Sequence, residues 1–293
     1  MRTMELSDLH IFRCVVEEGG ISKAALKLHR VQSNVTTRIR QLEQELGVAL
    51  FLREGKRLLL TASGRILLDY AERLLALADE ARGALADGAP RGHLRLGSMI
   101  STAAARLPDR LSAFHRQHPE VQLELRTAGT GRLVAEVLDG TLDCALVSGP
   151  VEDVRLENTA IFYEKLVVVA PAGHPPIGSA QDLQTRTLLT FESDCAYYQR
   201  LESWLSADRV VAERIVELAS YHAIIGCAAS GMGIALAPQS LLDKLNVGDT
   251  VSLHALPEAL AQVTTVLIRR REKISGAVAA LLRILGAGSG ESA

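Results

Sequence analysis

The stretch from Gly20 to Thr61 constrains this chain more than any other. Two short amphipathic helices are joined by a tight turn around His29–Val31. In the second, Val35, Ile39, Leu42 and Leu46 follow one another by four, three and four residues, the repeat of a single helix face. At about 100° per residue, Ser33, Thr37, Arg40 and Gln44 then point the opposite way, with Thr36 and Gln41 beside them. That outer face carries hydroxyls, amides and a guanidinium, and no carboxylate stands at its centre.

Such groups suit base edges and phosphate oxygens in a major groove. An ordinary solvated helix face would look much the same. The distinction comes from the next segment, a short basic hairpin, Arg53-Glu54-Gly55-Lys56-Arg57, able to lie along a phosphate backbone. A helix pair followed by such a hairpin reads as a winged helix-turn-helix. The candidate DNA-binding residues are Gln32, Ser33, Thr36, Thr37, Arg40, Arg53, Lys56 and Arg57.

At these positions the chain resembles the LysR-type transcriptional regulators. The pattern is carried by Ala24-Ala25, Leu28, Gln32, Ile39, Leu42-Glu43, Leu46-Gly47, Leu50-Phe51, Arg53, Leu60-Thr61 and Gly64, and the resemblance extends over nearly the whole chain. Three positions depart from it. Ile21 replaces a usual aromatic, Val31 stands where a Ser or Thr often caps the reading helix, and Thr37 takes a place that is frequently basic or amide. The run Leu28–Asn34 and the loop around Cys195 also look like a branch that includes regulators of putrescine utilisation.

Net charge is −2, which taken alone speaks against a nucleic-acid partner. Distribution outweighs the sum. Between His29 and Arg57 stand Arg30, Arg38, Arg40, Arg53, Lys56 and Arg57 against Glu43, Glu45 and Glu54, so a locally positive head sits on a neutral-to-acidic body. At 293 residues the chain has room for two or three compact units. No apolar run approaches the roughly 20 residues needed to span a bilayer. Met1-Arg2-Thr3-Met4-Glu5 lacks the apolar core of a signal peptide, so a cytoplasmic protein is expected, nucleoid-associated when on DNA. The four cysteines include no C-x-x-C pair; Cys14, Cys144 and Cys227 read as reduced core residues.

After Thr61, placed to cap the next helix, Ala62–Ala86 runs without proline. Leu67, Ala71, Leu74, Ala78, Ala81 and Leu85 fall at alternating spacings of four and three, a heptad seam widened by Leu68 and Leu75. Such a helix is roughly 38 Å long at about 1.5 Å per residue. Placed directly behind the reading head and ended by Asp87-Gly88-Ala89-Pro90, it is expected to pair with its counterpart in a second subunit. Doubling the head matches two half-sites.

From His93 apolar β-branched runs alternate with helical patterns, which predicts an α/β body with mostly parallel sheets. Strands are expected at Leu94–Met99, Val121–Thr127, Leu142–Val147, Tyr163–Ala170, Leu188–Phe191, Arg214–Leu218, Ile234–Pro238, Val251–His254 and Val263–Arg270. Helices are expected at Thr102–Gln117, Gly131–Asp139, Tyr197–Ala207, Tyr221–Ala229 and Ile274–Leu285. The family resemblance implies that this body is a two-lobed effector-binding domain similar to periplasmic binding proteins. The division is then 1–61 for the DNA-binding head, 62–88 for the linker helix, 93–163 with 267–293 for lobe I, and 164–266 for lobe II.

Ligands of open α/β sheets gather beyond the carboxyl ends of strands, where helix amino-termini present unpaired N–H groups. Small hydroxyl residues recur at such places: Ser98, Ser101 and Thr102; Thr130 within Ala128-Gly129-Thr130-Gly131; Ser148; and Ser220 before Tyr221. Each alone could be a helix cap. Together with Tyr197 and Cys195 they form the candidate effector site. Cys195 sits at a helix start between acidic and aromatic pairs, as a pocket-wall thiol or an oxidant sensor. Hydroxyls and backbone donors favour a small carboxylate, while Glu192 and Asp194 leave room for an amine, so an amino acid or a polyamine-related compound is also accommodated. Aromatics at 4% make sugar stacking a poor fit.

An enzyme is the rival class. Gly231-Met232-Gly233 lacks the third glycine of a dinucleotide fingerprint, and there is no P-loop, H-E-x-x-H or G-x-S-x-G motif. His222 beside Ser220 and Cys195 has no evident orienting acid. The expectation is a non-enzymatic regulator without cofactor or metal. Its partners are double-stranded promoter DNA, a small-molecule effector and further copies of itself, as homodimer or homotetramer through the linker helix and effector domains. The family resemblance adds RNA polymerase if it activates; no membrane is involved.

Overall fold

Apolar spacing of three and four residues sets the first unit. The computed structural model describes residues 4–54, 57–85, 90–191, 195–271 and 274–286, and contacts divide the chain into Met1–Gly92 and His93–Ala293. In the first unit, α1 (Leu6–Glu17), α2 (Ile21–Lys27) and α3 (Gln32–Leu46) precede a hairpin of β1 (Phe51–Glu54) and β2 (Arg57–Leu60). The long α4 (Ala62–Leu85) follows. Leu9, Phe12, Ala24, Val35, Ile39, Leu42 and Leu50 form one core with Leu67 and Ala71 of α4. Leu46, the fourth member of the expected apolar row, is exposed beside the left-handed Gly47 that ends α3 (φ 68°).

The turn between α2 and α3 places His29 at φ 52°, an uncommon conformation for a side chain with a Cβ. Val31 is the extended N-cap of α3, and no side chain accepts from the first turn. At the far end, one carboxylate oxygen of Glu43 accepts from the backbone N–H groups of Leu50 (2.8 Å) and Phe51 (3.2 Å), fixing the hairpin to the helix. Thr61 caps α4, its hydroxyl accepting from the Gly64 N–H at 2.9 Å and donating to the Ala49 carbonyl at 2.8 Å. A Cβ on Gly64 would collide with the Leu50 carbonyl, which explains the glycine there.

Within α4 the expected seam is corrected. Leu67 and Ala71 are buried in their own unit, and Leu68 and Leu75 pack against the same core. Among the described side chains, the large apolar residues of α4 left exposed are Ile66 (60%), Tyr70 (55%), Leu74 (37%) and Leu77 (60%). They fall on one stripe at the helical period, rotated from the expected row. Apolar residues occupy more than half the helix circumference, and α1 covers one edge of them.

In the second unit the chain runs β3 (Gly92–Ser98), α5 (Ile100–Ala105), α6 (Leu107–Gln117), β4 (Val121–Thr127), α7 (Thr130–Leu138), β5 (Cys144–Gly149) and β6 (Leu156–Pro171). There follow β7 (Thr187–Thr190), α8 (Ala196–Ala207), β8 (Arg214–Glu217), α9 (Tyr221–Ala229), β9 (Ala235–Pro238) and α10 (Gln239–Leu245). The last elements are β10 (Val251–Ala255), α11 (Glu258–Ala261), β11 (Gln262–Arg270) and α12 (Gly276–Gly286). The single helix expected over Thr102–Gln117 is two. It breaks at Arg106, because Pro108 supplies no N–H to continue the preceding turn.

Seven strands form one sheet in the order β10-β6-β11-β5-β3-β4, with β9 also on β6. The expectation of mostly parallel sheets is corrected. β3 pairs parallel with β5, and β7 with β8, whereas β11 runs antiparallel to both β5 and β6, and β6 antiparallel to β9 and β10. The cause is the pair of long crossing strands. β6 carries Ile161 and Phe162 into the core of α6 and α12, then Leu166, Val168 and Ala170 into the core around α8. β11 makes the reverse passage, from Val263 in the α8 core to Leu267 in the α6 and α12 core. Their register shifts between Thr265 and Val266, where Ile161 is skipped.

Beside this crossing the Arg106 guanidinium donates to Glu164 at 2.7 and 3.2 Å, and the Ser240 hydroxyl donates to the same carboxylate at 2.6 Å. One buried anion thus ties the α5–α6 corner, β6 and α10. Among the described residues no helix is long and apolar enough to cross a membrane.

Candidate functional site

The outer face of α3 is built by elimination. Val35, Ile39 and Leu42 turn inward, leaving Gln32, Ser33, Asn34, Thr37, Arg40 and Gln44 exposed. The two arginines on this helix have different fates. Arg38 reaches back to the start of α1, at 3.1 Å from the buried Asp8 and 4.0 Å from the N-cap residue Glu5. Arg40 is exposed and, among the described residues, has no ion-pair partner. The Thr36 hydroxyl donates to the Gln32 carbonyl at 2.9 Å, so its proton is used within the helix. Gln32, Ser33, Thr37 and Arg40 therefore share one solvent-facing strip. Lys56 lies outside the described residues, as do the side chains of Arg53 and Arg57. The backbone places Arg53 opposite Leu58, and Arg57 opposite Glu54.

The second unit holds a cavity of about 400 Å³, a usual size for a small metabolite. On one side it is lined by Met99, Ile100 and Ser101 at the start of α5 and by Gly129, Thr130 and Arg132 at the start of α7. Across from these, Phe191, Cys195, Tyr197, Glu217, Leu218 and Tyr221 complete the lining. The first turns of α7 and α8 open here without a side-chain cap. Their N–H groups make each of these two helix starts a favourable place for an anion.

Burial governs the chemistry of the two tyrosines. Tyr197 and Tyr221 are 4% and 6% exposed, and desolvation pushes both phenols well above the ordinary tyrosine range. Each keeps its proton and can donate a hydrogen bond. The Ser101 and Tyr197 hydroxyls lie 3.3 Å apart, and the Phe191 ring stands edge-on to Tyr221 with centroids 4.8 Å apart. Behind them a void of about 10 Å³ separates Thr190 and Leu201 from Cys195 and the tyrosines.

Of the hydroxyl and thiol residues named from sequence, Ser101, Thr130, Cys195, Tyr197 and Tyr221 line the cavity. Ser98, Thr102, Ser148 and Ser220 lie outside its lining. Ser98 is fully buried and donates to the Met99 carbonyl at 3.0 Å. Thr102 is buried as well. Ser148 offers its N–H to Thr130 Oγ1 at 3.4 Å, bracing a lining residue from behind. Ser220 is the N-cap of α9, accepting from Ala223 at 3.2 Å. Glu192 and Asp194 fall outside the described residues.

Sequence reasoning missed Arg132 and Glu217, the charged members of the lining. Glu217 ends β8, and the rule that ligands sit beyond strand ends could have found it. Cys14 and Cys144 are buried, as expected, whereas Cys227 is only half-buried on α9. His222 is exposed on the same helix. Among the described residues no cluster of His, Cys, Asp and Glu could hold a metal ion.

A helix-turn-helix head with an uncommitted polar strip, joined to an α/β unit with a half-open cavity of small-molecule size, defines a ligand-responsive DNA-binding protein. Comparison with known proteins agrees. Residues 6–65 match the bacterial regulatory helix-turn-helix protein model of the lysR family, and residues 87–289 match the LysR substrate binding domain. The HTH-type transcriptional regulator YusT of Bacillus subtilis is 42% identical over 270 residues, covering 92% of this chain and 90% of that one. GltR of the same organism is 38% identical over 272 residues, covering 92% of each. Among solved structures, full-length OxyR from Pseudomonas aeruginosa superposes with a TM-score of 0.72 at 22% identity, covering 98% of this chain and 95% of that one. Full-length CbnR complexed with its target DNA superposes at 0.67 and 22% identity, covering 96% and 99%. The chain belongs to the LysR family of transcriptional regulators. It is a DNA-binding regulator with an effector-binding domain, not an enzyme.

Proposed function

We propose that α3 enters the major groove with Gln32, Ser33, Thr36, Thr37 and Arg40 toward the bases and neighbouring phosphates, while Arg53, Lys56 and Arg57 of the hairpin follow the backbone. The observation that carries this reading is the contrast between the two arginines of α3. Arg38 is consumed by Asp8 and Glu5, and among the described residues Arg40 stands exposed without a partner. Two copies join through the stripe Ile66, Tyr70, Leu74 and Leu77 of α4, as a homodimer or as the dimers of a homotetramer. Lobe I comprises 93–163 with 267–293 and lobe II comprises 164–266, with the head and linker ending at 61 and 88. The change of core along β6 and β11 supports that division.

The cavity takes the effector, a small carboxylate, an amino acid or a polyamine-related compound, at Ser101, Thr130, Cys195, Tyr197 and Tyr221. Ser98, Thr102, Ser148 and Ser220 act from behind, as supports of that wall. Ligand that prefers a closed pair of lobes shifts the population of DNA-binding arrangements. RNA polymerase is a further partner where the protein activates, and the setting is the cytoplasm, at the nucleoid when DNA is bound.

The test is equilibrium binding to the DNA upstream of its own gene and to random duplex. Arg40→Ala should cost about 1–3 kcal/mol on the upstream DNA, and much less on random duplex. Equal losses on both would overturn the assignment of Arg40 to base reading.

A further inference from the structure

The walls of the cavity differ in electrical character. At α7 the helix starts at Thr130 under a cap, Gly129, that has no side-chain acceptor, so the helix end presents N–H groups and partial positive charge. The hydroxyls of Ser101 and Thr130 stand on the same side. This wall suits a carboxylate. Across it, β8 ends at Glu217, whose residue lines the cavity and has, among the described residues, no hydrogen-bond or ion-pair partner. Desolvation, then Glu202, push up the Tyr198 phenol in the first turn of α8, and the charge of Glu217 adds the smallest share. With a carboxylate of the protein on the β8 side of the cavity, the start of α7 is the place for a ligand anion. Arg132, the cation of the lining, is bonded to Glu136 at 2.9 Å.

These walls select against singly charged ligands. A simple carboxylate bound at α7 shares the cavity with the exposed, negatively charged Glu217, and like charges in one site disfavour each other. A simple amine satisfies Glu217 but meets the positive end of α7. A molecule with both charges complements both walls and ties together elements that belong to separate cores, since α7 packs with Leu133 and Val137 in one and Phe191 and Tyr221 in another. Met99, Ile100, Phe191 and Leu218 supply apolar surface for the remainder of such a ligand.

We propose that the effector is a compact amino carboxylate, its carboxylate on the first turn of α7 with Ser101 and Thr130 and its ammonium on Glu217. The inference rests on reading this cavity as the effector site, and makes Glu217 the residue that selects amines over otherwise matching acids.

The full-length protein is to be screened by thermal shift and calorimetry with the common L-amino acids, their 2-oxo acid counterparts, and putrescine. At least one amino acid should bind about tenfold more tightly than its 2-oxo acid, the worth of about 1.4 kcal/mol. Glu217→Gln should abolish that preference, weakening the amino acid and leaving the oxo acid bound as tightly or more tightly, and Thr130→Ala should weaken amino acid and oxo acid alike. A 2-oxo acid that binds as tightly as its amino acid overturns the inference but leaves the effector site standing, and so does a preference that survives in Glu217→Gln. Putrescine binding more tightly than every amino acid also overturns it. If no compound with a carboxylate binds, this inference and the carboxylate reading of the site fall together.

Discussion

Single residues decide two local properties here. Val31 is the clearer case. It is 71% exposed at the N-cap of the reading helix, where its isopropyl group neither packs nor accepts a hydrogen bond. Val31→Thr should stabilise the head by about 1 kcal/mol, visible as a higher melting temperature. An unchanged or lower value would mean that the extended cap geometry cannot aim the hydroxyl at the first turn. The second case is a pair of histidines far from the functional surfaces. His254 Nδ1 accepts from the Ile177 N–H at 3.4 Å and its Nε2 pairs with Ser252 Oγ at 2.9 Å. His174 Nε2 accepts from the Gln184 N–H at 3.3 Å, and its Nδ1 lies 2.8 Å from the Pro175 carbonyl. The rings meet edge to face with centroids 5.5 Å apart.

His254 accepts a backbone N–H through Nδ1, and desolvation, followed by the electrostatic influence of His174, lowers its pKa. A lowered histidine pKa means that the unfolded chain takes up protons first. The contribution of His254 is undiminished above the unfolded value of about 6.5 and is lost as pH falls toward and through the folded one. Hydrogen exchange of 171–184, corrected for its intrinsic pH dependence, should therefore accelerate between about pH 7 and about pH 5.5, and His254→Gln should flatten that response. A response identical in the two proteins would contradict the role of His254. None of this was legible from the sequence. His174 and His254 are distant along the chain, and only the pairing of β10 with β6 brings them together.

At the scale of elements, α4 shows how far periodicity reaches. The helix and its Thr61 cap were legible, because spacing and capping chemistry are local. Its outward stripe was not, since the strict heptad row Leu67, Ala71, Leu74 and Ala78 lies beside a second apolar row, Ile66, Tyr70, Leu74 and Leu77, on the same broad face. Only α1, which buries Leu67 and Ala71, decides between them. The consequence is testable. Tyr70→Asp with Leu77→Asp should leave helix content intact and shift sedimentation from dimer toward monomer, whereas Leu67→Asp should lower the melting temperature. Retention of the dimer by the double variant would contradict the stripe as its interface. Strands tell a similar story. Val121–Thr127 was read with its observed ends, because its flanking turns are local signals. The first half of β6 was missed, because Glu157, Asn158 and Thr159 hide its pattern behind polar side chains.

For the whole molecule, the head-and-body plan is legible in the change of pattern near His93, and the mixed sheet is not. Antiparallel pairing of β6 with β11 joins segments about a hundred residues apart, a relation no local spacing reports. The same limit explains the cavity. Hydroxyls at strand ends pointed to the neighbourhood of the cavity, but which of them line it, and that Glu217 joins them, depends on how β8 and α9 meet α5 and α7. Regulation by this protein depends on a positively charged head that reads duplex DNA in sequence-dependent fashion. The most direct measurement is the affinity of the purified full-length protein for the DNA upstream of its own gene, against random duplex of equal length at matched salt. A preference of about a thousandfold or more is predicted, together with affinity that falls steeply as salt rises. Equal affinity for the two duplexes at every salt concentration would contradict it.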